Sequence, residues 1–587
     1  MRQSSRLHTA LYLCLASLLP IAFRLVYLQT VRSDAFSERV AFSTERRALE
    51  IIPRGRILDR RGRILAQSVP AWSSFLDLKV LKRDSRNKKK TLKAIASALS
   101  IDKDVLRKRL DTKRRTVWLK RKMTLSELGR LKELNLPSVG IHPDERRYYP
   151  NEALARSVLG FVRTDGQGLA GVERAFDKAL SGQAIRVRHI RDGKGRPIGD
   201  TDASENKAPA DLVLSLDRTV QYFAEQALDE GIRKTKAKAG IAIVQDPQTG
   251  DILALAERPS DPKRSAALQD VYEPGSTFKI VVAAAALETL KVTKDELINC
   301  ENGRWEMKPG IRIKDHEKKG MLTLDQIIQY SSNIGTAKIG LRLGAKRFID
   351  YCRRFGFGYK TGTPLPGESR GIIPPEKGMR DVRLANAAFG QGVAVTALQL
   401  VGAYSAIANG GTLLEPRLVM RSHGRAQRGR VEIRRIANAK TVARLQEMLE
   451  RVVDDGTGAT ASIPGYSAAG KTGTAEKIDP STGKYSTTDY IASFAGYIPA
   501  NKPRFTILIV VDTPRIGEYG SEVAAPIFAQ IARQLLAHFA IPPERPLPLR
   551  WNEKDDKIKD APKPLPPTNR LPSPSFLKRA NPAGGKA

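Results

Sequence analysis

Apolar and polar positions alternate differently along the chain, and the pattern sets its predicted elements apart. Residues 10–23 are an uncharged apolar run; Arg24 interrupts it, and Leu25, Val26, Tyr27 and Leu28 continue it. With the Arg24 head group snorkelling to the interface, the span nears the roughly 20 residues that a bilayer requires. A cleaved signal peptide is the alternative reading. No A-x-A-like site follows the run, so an uncleaved anchor over residues 1–29 is expected. Residues 54–66 set short apolar pairs around Arg61-Gly62, which predicts a β-hairpin. Between 79 and 122, Leu92, Ile95, Leu99, Leu106 and Leu110 recur at helical spacing and predict one or two small amphipathic helices. An amphipathic segment begins at Gly171, and residues 192–209 are polar with Gly and Pro and read as loop. A strand over 212–217 and a helix over 219–234 follow.

In the second half, strands are predicted over 239–245 and 251–256, joined by the turn Asp246-Pro247-Gln248-Thr249-Gly250. A helical middle comes next. Strands return over 469–477, 491–498 and 505–511, and a helix over 523–539 closes the domain. Two early and three late strands predict one five-stranded antiparallel sheet closed by both ends of the domain, with helices between them. The fold class is therefore α+β. Boundaries are placed at 30–210 for a first domain and 211–540 for a second. Residues 541–587 carry 11 Pro in 47 residues and no apolar face, and a disordered or polyproline-like tail is expected there.

Charge adds a constraint. Lys+Arg 99 against Asp+Glu 62 gives a formal net charge of +37. Such a balance fits nucleic-acid binding, or an exported domain working against an anionic polymer or membrane surface. Positive residues before the apolar run place the N-terminus in the cytoplasm and the rest outside, which disfavours nucleic acid. The 18 Lys/Arg between 79 and 122 read as a solvated face, or as a contact with anionic wall polymer or lipid headgroups. Three cysteines in 587 residues exclude a disulfide framework, and Cys300 and Cys352 are expected as buried free thiols. Metal-ligand spacings are absent from the sequence, so neither metal nor cofactor is expected.

The candidate chemistry starts at Pro274-Gly275-Ser276-Thr277-Phe278-Lys279, directly before an Ala-rich apolar run at 280–287. Ser276 at a helix start and Lys279 one turn on share a face, so the amine is within reach of the hydroxyl. Alone, Ser276 is equally well an N-cap. Two further clusters change that balance. Ser331-Ser332-Asn333 lies between two helical patterns, where side chains can project into a cleft. Lys471-Thr472-Gly473-Thr474 lies on a predicted strand, where Gly473 would let a second backbone approach. Each has a plain structural reading by itself, as caps or as an ordinary strand. In the order S-x-x-K, S-x-N, K-T-G they form the motif set of penicillin-binding proteins and serine β-lactamases.

Residues 272–279, 330–335 and 469–475 resemble the class B penicillin-binding proteins of division type. Residues 54–66 and 171–177 are similar to motifs of that family's non-catalytic pedestal, and residues 389–392 and 519–526 to stretches of its transpeptidase domain. The resemblance covers roughly 10–540, is weakest over 79–145 and is absent from the tail. It implies a single-pass protein of the bacterial inner membrane, an elongated pedestal (dimerisation-type) domain and a transpeptidase domain of the serine β-lactamase type. It also implies a serine-type D-Ala-D-Ala transpeptidase that cross-links peptidoglycan stem peptides in septal wall synthesis and is acylated by β-lactams. Ser276 would be the nucleophile and Lys279 its base, its pKa lowered by burial, by Lys471 and by the helix N-terminus. Ser331 would bridge Lys279 and Lys471, and Asn333 would hold the substrate amide. Lys471, Thr472 and Thr474 would bind the terminal carboxylate beside Gly473, and the N–H groups of Ser276 and Thr474 would form the oxyanion hole. Expected partners are peptidoglycan, the membrane, a glycosyltransferase and other division proteins. A D,D-carboxypeptidase and a catalytically silent scaffold are the competing readings.

Overall fold

The computed structural model describes residues 2–34, 45–51, 53–83, 88–112, 114–181, 184–191, 197–201, 209–422, 424–427, 429–479 and 481–546. The apolar run forms one helix, Arg2–Thr30. Its segment Leu11–Thr30 has a mean hydropathy of 1.9 and is covered by no other part of the fold. A helix of that length and apolarity is long enough to cross a membrane.

The predicted hairpin pairs Ile57–Leu58 with a long strand, Ile64–Asp77. Asp59 ties its turn by accepting from the N–H groups of Arg61 and Arg63, and Gly62 takes φ +81° at the tip. The long strand also pairs with Thr116–Met123 and Val139–Tyr148. Among the described residues the basic stretch holds three helices, Leu78–Arg83, Lys88–Ala98 and Lys103–Leu110, where one or two were expected. Leu81, Ile95, Leu99 and Leu106 converge from them on Leu76 and Leu119. Asp102 caps the third helix, a short one whose separate start the apolar spacing alone does not mark. Strand Pro197–Thr201 lies within the stretch expected to be loop and pairs with Ala184–Arg191. Pro197 stands at its first position, where a missing N–H costs little.

The two pedestal motifs meet in a buried ion cluster. Glu173, fully buried, accepts from Arg54 Nε and Arg147 Nε, both at 2.7 Å. Arg54 Nη1 also reaches Asp177 Oδ1 at 2.6 Å. The hairpin sheet then runs on into later parts of the chain. Leu212–Leu214 lies parallel to Ile57–Leu58 and antiparallel to Val419–Ser422. Arg61 and Arg63 both pair with Asp217, the N-cap of helix Arg218–Thr235.

The large sheet is five-stranded and antiparallel throughout. Its order is Ile252–Arg258, Ala239–Gln245, Phe505–Asp512, Tyr485–Ile498, Ala469–Ile478. Alternation gives it two apolar faces. Ala242, Val244, Ile507 and Ile509 pack with helices Arg218–Thr235 and Ala525–His538, while Ile243, Leu508 and Val510 join the core of helix Ala397–Ala408. Early and late strands thus close one sheet, and the Lys471 strand is an edge. Residues 541–546 are tied to the domain by polar contacts, with 542–546 exposed: Tyr466 donates to the Ile541 carbonyl, Ser467 to Glu544, and Arg545 pairs with Glu450 and Asp454. Residues 547–587 of the expected tail lie outside the described residues. Cys300 and Cys352 are buried and unbridged.

Candidate active site

Ser276 lies in a 3-10 turn, Gly275–Phe278, that runs directly into helix Lys279–Ala285. The helix is buried on every side, as its Ala-rich apolar sequence requires, and Phe278 anchors the junction against Phe357 at 4.9 Å and Phe348 at 6.2 Å. Ser276 is half-buried and caps neither segment; Pro274 and Phe278 hold the two N-cap positions. The turn lies across the edge strand. A Cβ on Gly275, which has φ +55°, would stand 2.6 Å from the Thr474 carbonyl oxygen, and one on Gly473 would stand 2.9 Å from the Pro274 carbonyl oxygen. On the other side Gly275 N–H donates to the Gly390 carbonyl at 3.2 Å, and a Cβ on Gly390 would stand 2.1 Å from the Gly275 oxygen. The close approach that Gly473 permits is therefore that of the chain's own backbone.

Lys279 is fully buried. Its Nζ donates to Ser331 O at 2.5 Å, Ser331 Oγ at 3.1 Å and Asn333 Oδ1 at 2.8 Å. Ser331 stands in the left-handed region, φ +61°, between helices Leu324–Gln329 and Asn333–Arg354. A non-glycine residue there costs about 1–2 kcal/mol. In this conformation both the carbonyl and the hydroxyl of Ser331 accept from Lys279. Burial brings Lys279 down to a pKa of about 7, against smaller raising effects of Asp315 and Cys300. Lys471 is itself fully buried and its pKa falls well below the usual value, through burial first and Lys279 second.

Lys471 Nζ donates to Thr457 Oγ1 at 3.2 Å and to the carbonyl and hydroxyl oxygens of Thr472 at 3.4 and 3.3 Å. Thr472 donates to Thr457 Oγ1 at 3.1 Å, and Thr474 Oγ1 accepts from Gly520 N–H at 3.2 Å. Ser331 thus binds Lys279 but not Lys471, and Lys279 binds Ser331 rather than Ser276. The motifs converge as expected, but these two of their expected hydrogen bonds are absent.

Two residues outside the motifs shape the site. Asp315 accepts from Ser332 Oγ at 2.5 Å, from Asn333 N–H at 2.6 Å and from Ile334 N–H at 2.9 Å, fixing the S-x-N turn at a helix N-terminus. Thr457 joins Lys471 to Thr472. Asp315 lies 17 positions before Ser332, so no local capping signal announces it. Thr457 stands in the turn Asp455-Gly456-Thr457-Gly458, whose glycines were a readable sign of a tight approach. No group of three or more His, Cys, Asp or Glu suited to a metal occurs among the described residues.

Together, the sheet, the serine turn on its edge and the lysine beneath that turn define a serine transpeptidase domain carried behind a pedestal. Residues 240–533 match the penicillin binding protein transpeptidase domain, and residues 51–214 match the penicillin-binding protein dimerisation domain. The chain belongs to the class B penicillin-binding proteins. It is 34% identical over 550 residues to the peptidoglycan D,D-transpeptidase FtsI of Escherichia coli, covering 91% of this chain and 92% of that protein. It is 34% identical over 544 residues to stage V sporulation protein D of Bacillus subtilis, covering 88% and 82%. Among solved structures, a peptidoglycan synthetase from Bifidobacterium adolescentis superposes with a TM-score of 0.67 at 27% identity, over 86% of this chain and all of that one. Penicillin binding protein 3 of Mycobacterium tuberculosis, complexed with aztreonam, gives 0.65 at 28% identity, over 85% and 99%.

Proposed function

We propose that the protein is a septal peptidoglycan D,D-transpeptidase. The observation that carries the reading is a fully buried, near-neutral Lys279 one turn from Ser276. Lys279 Nζ takes the Ser276 hydroxyl proton as Oγ bonds to the penultimate D-Ala carbonyl carbon. The tetrahedral oxyanion is held by the N–H groups of Ser276 and Thr474, each donor being worth about 2.7–4 kcal/mol. The carbon–nitrogen bond then breaks, and Ser331 passes the proton from Lys279 to the departing D-Ala amine. A second stem peptide's amine attacks the acyl carbon and gives its proton to Lys279; the bond from that carbon to Ser276 Oγ breaks, and Lys279 hands the proton to Oγ. Asn333 holds the substrate amide. Lys471, Thr472 and Thr474 take the terminal carboxylate along the edge strand, beside Gly473. A β-lactam enters the same course and stays attached.

The Arg2–Thr30 helix then serves as a single-pass anchor, N-terminus inside, with a pedestal over 30–210 and the transpeptidase domain over 211–540 outside. Ser331-Ser332-Asn333, in place of an acidic second motif, supports a division or spore-septum role over elongation. A glycosyltransferase and other division proteins are the partners this role requires. Fluorescent penicillin should label the full chain and leave Ser276→Ala unlabelled; undiminished labelling of that variant rejects the assignment. Filamentation on depletion supports the septal role, whereas rounding overturns it.

A further inference from the structure

A cleft of about 740 Å³ opens beside the Ser276 turn, bounded by Lys308, Arg380, Arg383, Asn386, Gln391 and Tyr485 among others. Its walls continue into the site. The strand Arg304–Lys308 and its partner Ile311–Lys314 lead straight to Asp315, which fixes Ser332 and Asn333. Helix Asp381–Ala388 carries Arg383 and Asn386 and leads to Gly390, on which Gly275 rests. Gly392 N–H and the Tyr485 hydroxyl both bind the carboxylate of Glu273, at 2.8 and 3.2 Å, three residues before Ser276. The cleft therefore adjoins the segment that carries Ser276.

Its charge is one-sided. Lys308, Arg380 and Arg383 face it, and Asp381 lies 3.4 Å from Lys308. Among the described residues Arg380 and Arg383 have no carboxylate partner, whereas Arg342, Arg354 and Arg444 in the same domain are paired. Glu273 is already engaged by Gly392 and Tyr485. A solvated basic face accounts for exposed cations on a convex surface; here they line a concave cleft that adjoins the Ser276 segment, with amide side chains between them.

We propose that this cleft binds a second carboxylate of the donor peptide, upstream of its D-Ala-D-Ala end. The planar guanidinium forks of Arg380 and Arg383 suit bidentate carboxylate recognition. Asn386 and Gln391 offer both donors and acceptors to the neighbouring peptide groups. The inference rests on the peptide-transferring reading above and adds a specificity site to it.

The test uses the full-length chain and two synthetic donor peptides that end in D-Ala-D-Ala. One carries a free carboxylate upstream, and the other carries the carboxamide at the same place. Titration with labelled penicillin counts the reactive sites in each preparation. The wild type should prefer the carboxylate peptide by about tenfold in kcat/KM, as two exposed pairs permit, and the preference should shrink as salt rises. In Arg380→Ala/Arg383→Ala the ratio should collapse towards one, through KM, and Arg383→Lys should restore part of it to Arg383→Ala. A wild-type chain that titrates with penicillin but shows no preference overturns the inference alone, as does a ratio unmoved in the double variant. A chain that neither titrates nor releases D-Ala overturns the underlying reading as well.

Discussion

Acylation by a β-lactam should titrate with Lys279. The free side chain has a usual pKa of 10.5, and burial brings it to about 7. At pH 7.5 roughly three quarters of the buried amine is neutral, against about one part in a thousand for an unperturbed lysine. That ratio is several hundredfold in available base, or about 4 kcal/mol of barrier. The base acts only when neutral, so activity is lost as pH falls through 7. The second-order rate constant for acylation, followed by stopped-flow with a chromogenic cephalosporin from pH 5 to 9, should rise about tenfold per pH unit below 6.5 and level off above 7.5. The Asp315 carboxylate raises the Lys279 pKa, so Asp315→Asn should move the midpoint to lower pH. A flat profile, or a midpoint above pH 9, would refute the claim that burial makes Lys279 the base.

Three further outcomes follow from the same packing. Lys279 has a lower proton affinity folded than unfolded, so its burial opposes folding fully below pH 7 and ceases to do so as pH rises towards 10.5. Lys279→Met should therefore abolish penicillin labelling yet stabilise the protein at pH 7 by about 1–3 kcal/mol, read as a raised Tm; a lowered Tm contradicts this. Gly390→Ala would press a Cβ against the Gly275 carbonyl, so labelling should slow and stability fall by about 1–3 kcal/mol; wild-type labelling kinetics would show that the Ser276 turn does not rest on Gly390. Glu173→Ala leaves Arg54 and Arg147 buried without their shared carboxylate, and should cost about 3–5 kcal/mol in urea unfolding; an unchanged unfolding midpoint would count against the buried cluster as the tie between the pedestal motifs.

Local patterns made some of this readable in advance. The strands around 239–258 and 469–512 alternate or run apolar over lengths that only a packed sheet explains, and one antiparallel sheet was the simplest way to join them. The helix after Lys279 was legible because it is apolar all round. What escaped reading depends on contacts between distant segments. Asp315 caps a helix 18 residues away, Gly390 receives a turn over a hundred residues earlier, and Glu173 is shared by Arg54 and Arg147, which lie far apart in the chain.

The sheet also constrains how the protein is made. Ala239 pairs with Asp512, and the central strand between the early and late pairs is Phe505–Asp512. During synthesis the early hairpin emerges first and waits, one long edge open, until the last strands have followed it. Non-local pairing of this kind is slow and leaves strand edges exposed to aggregation. The interval between the emergence of residue 258 and that of residue 512 is therefore when the nascent chain most needs a holdase, and a stop codon anywhere in that interval leaves the early hairpin without the strands that complete its sheet.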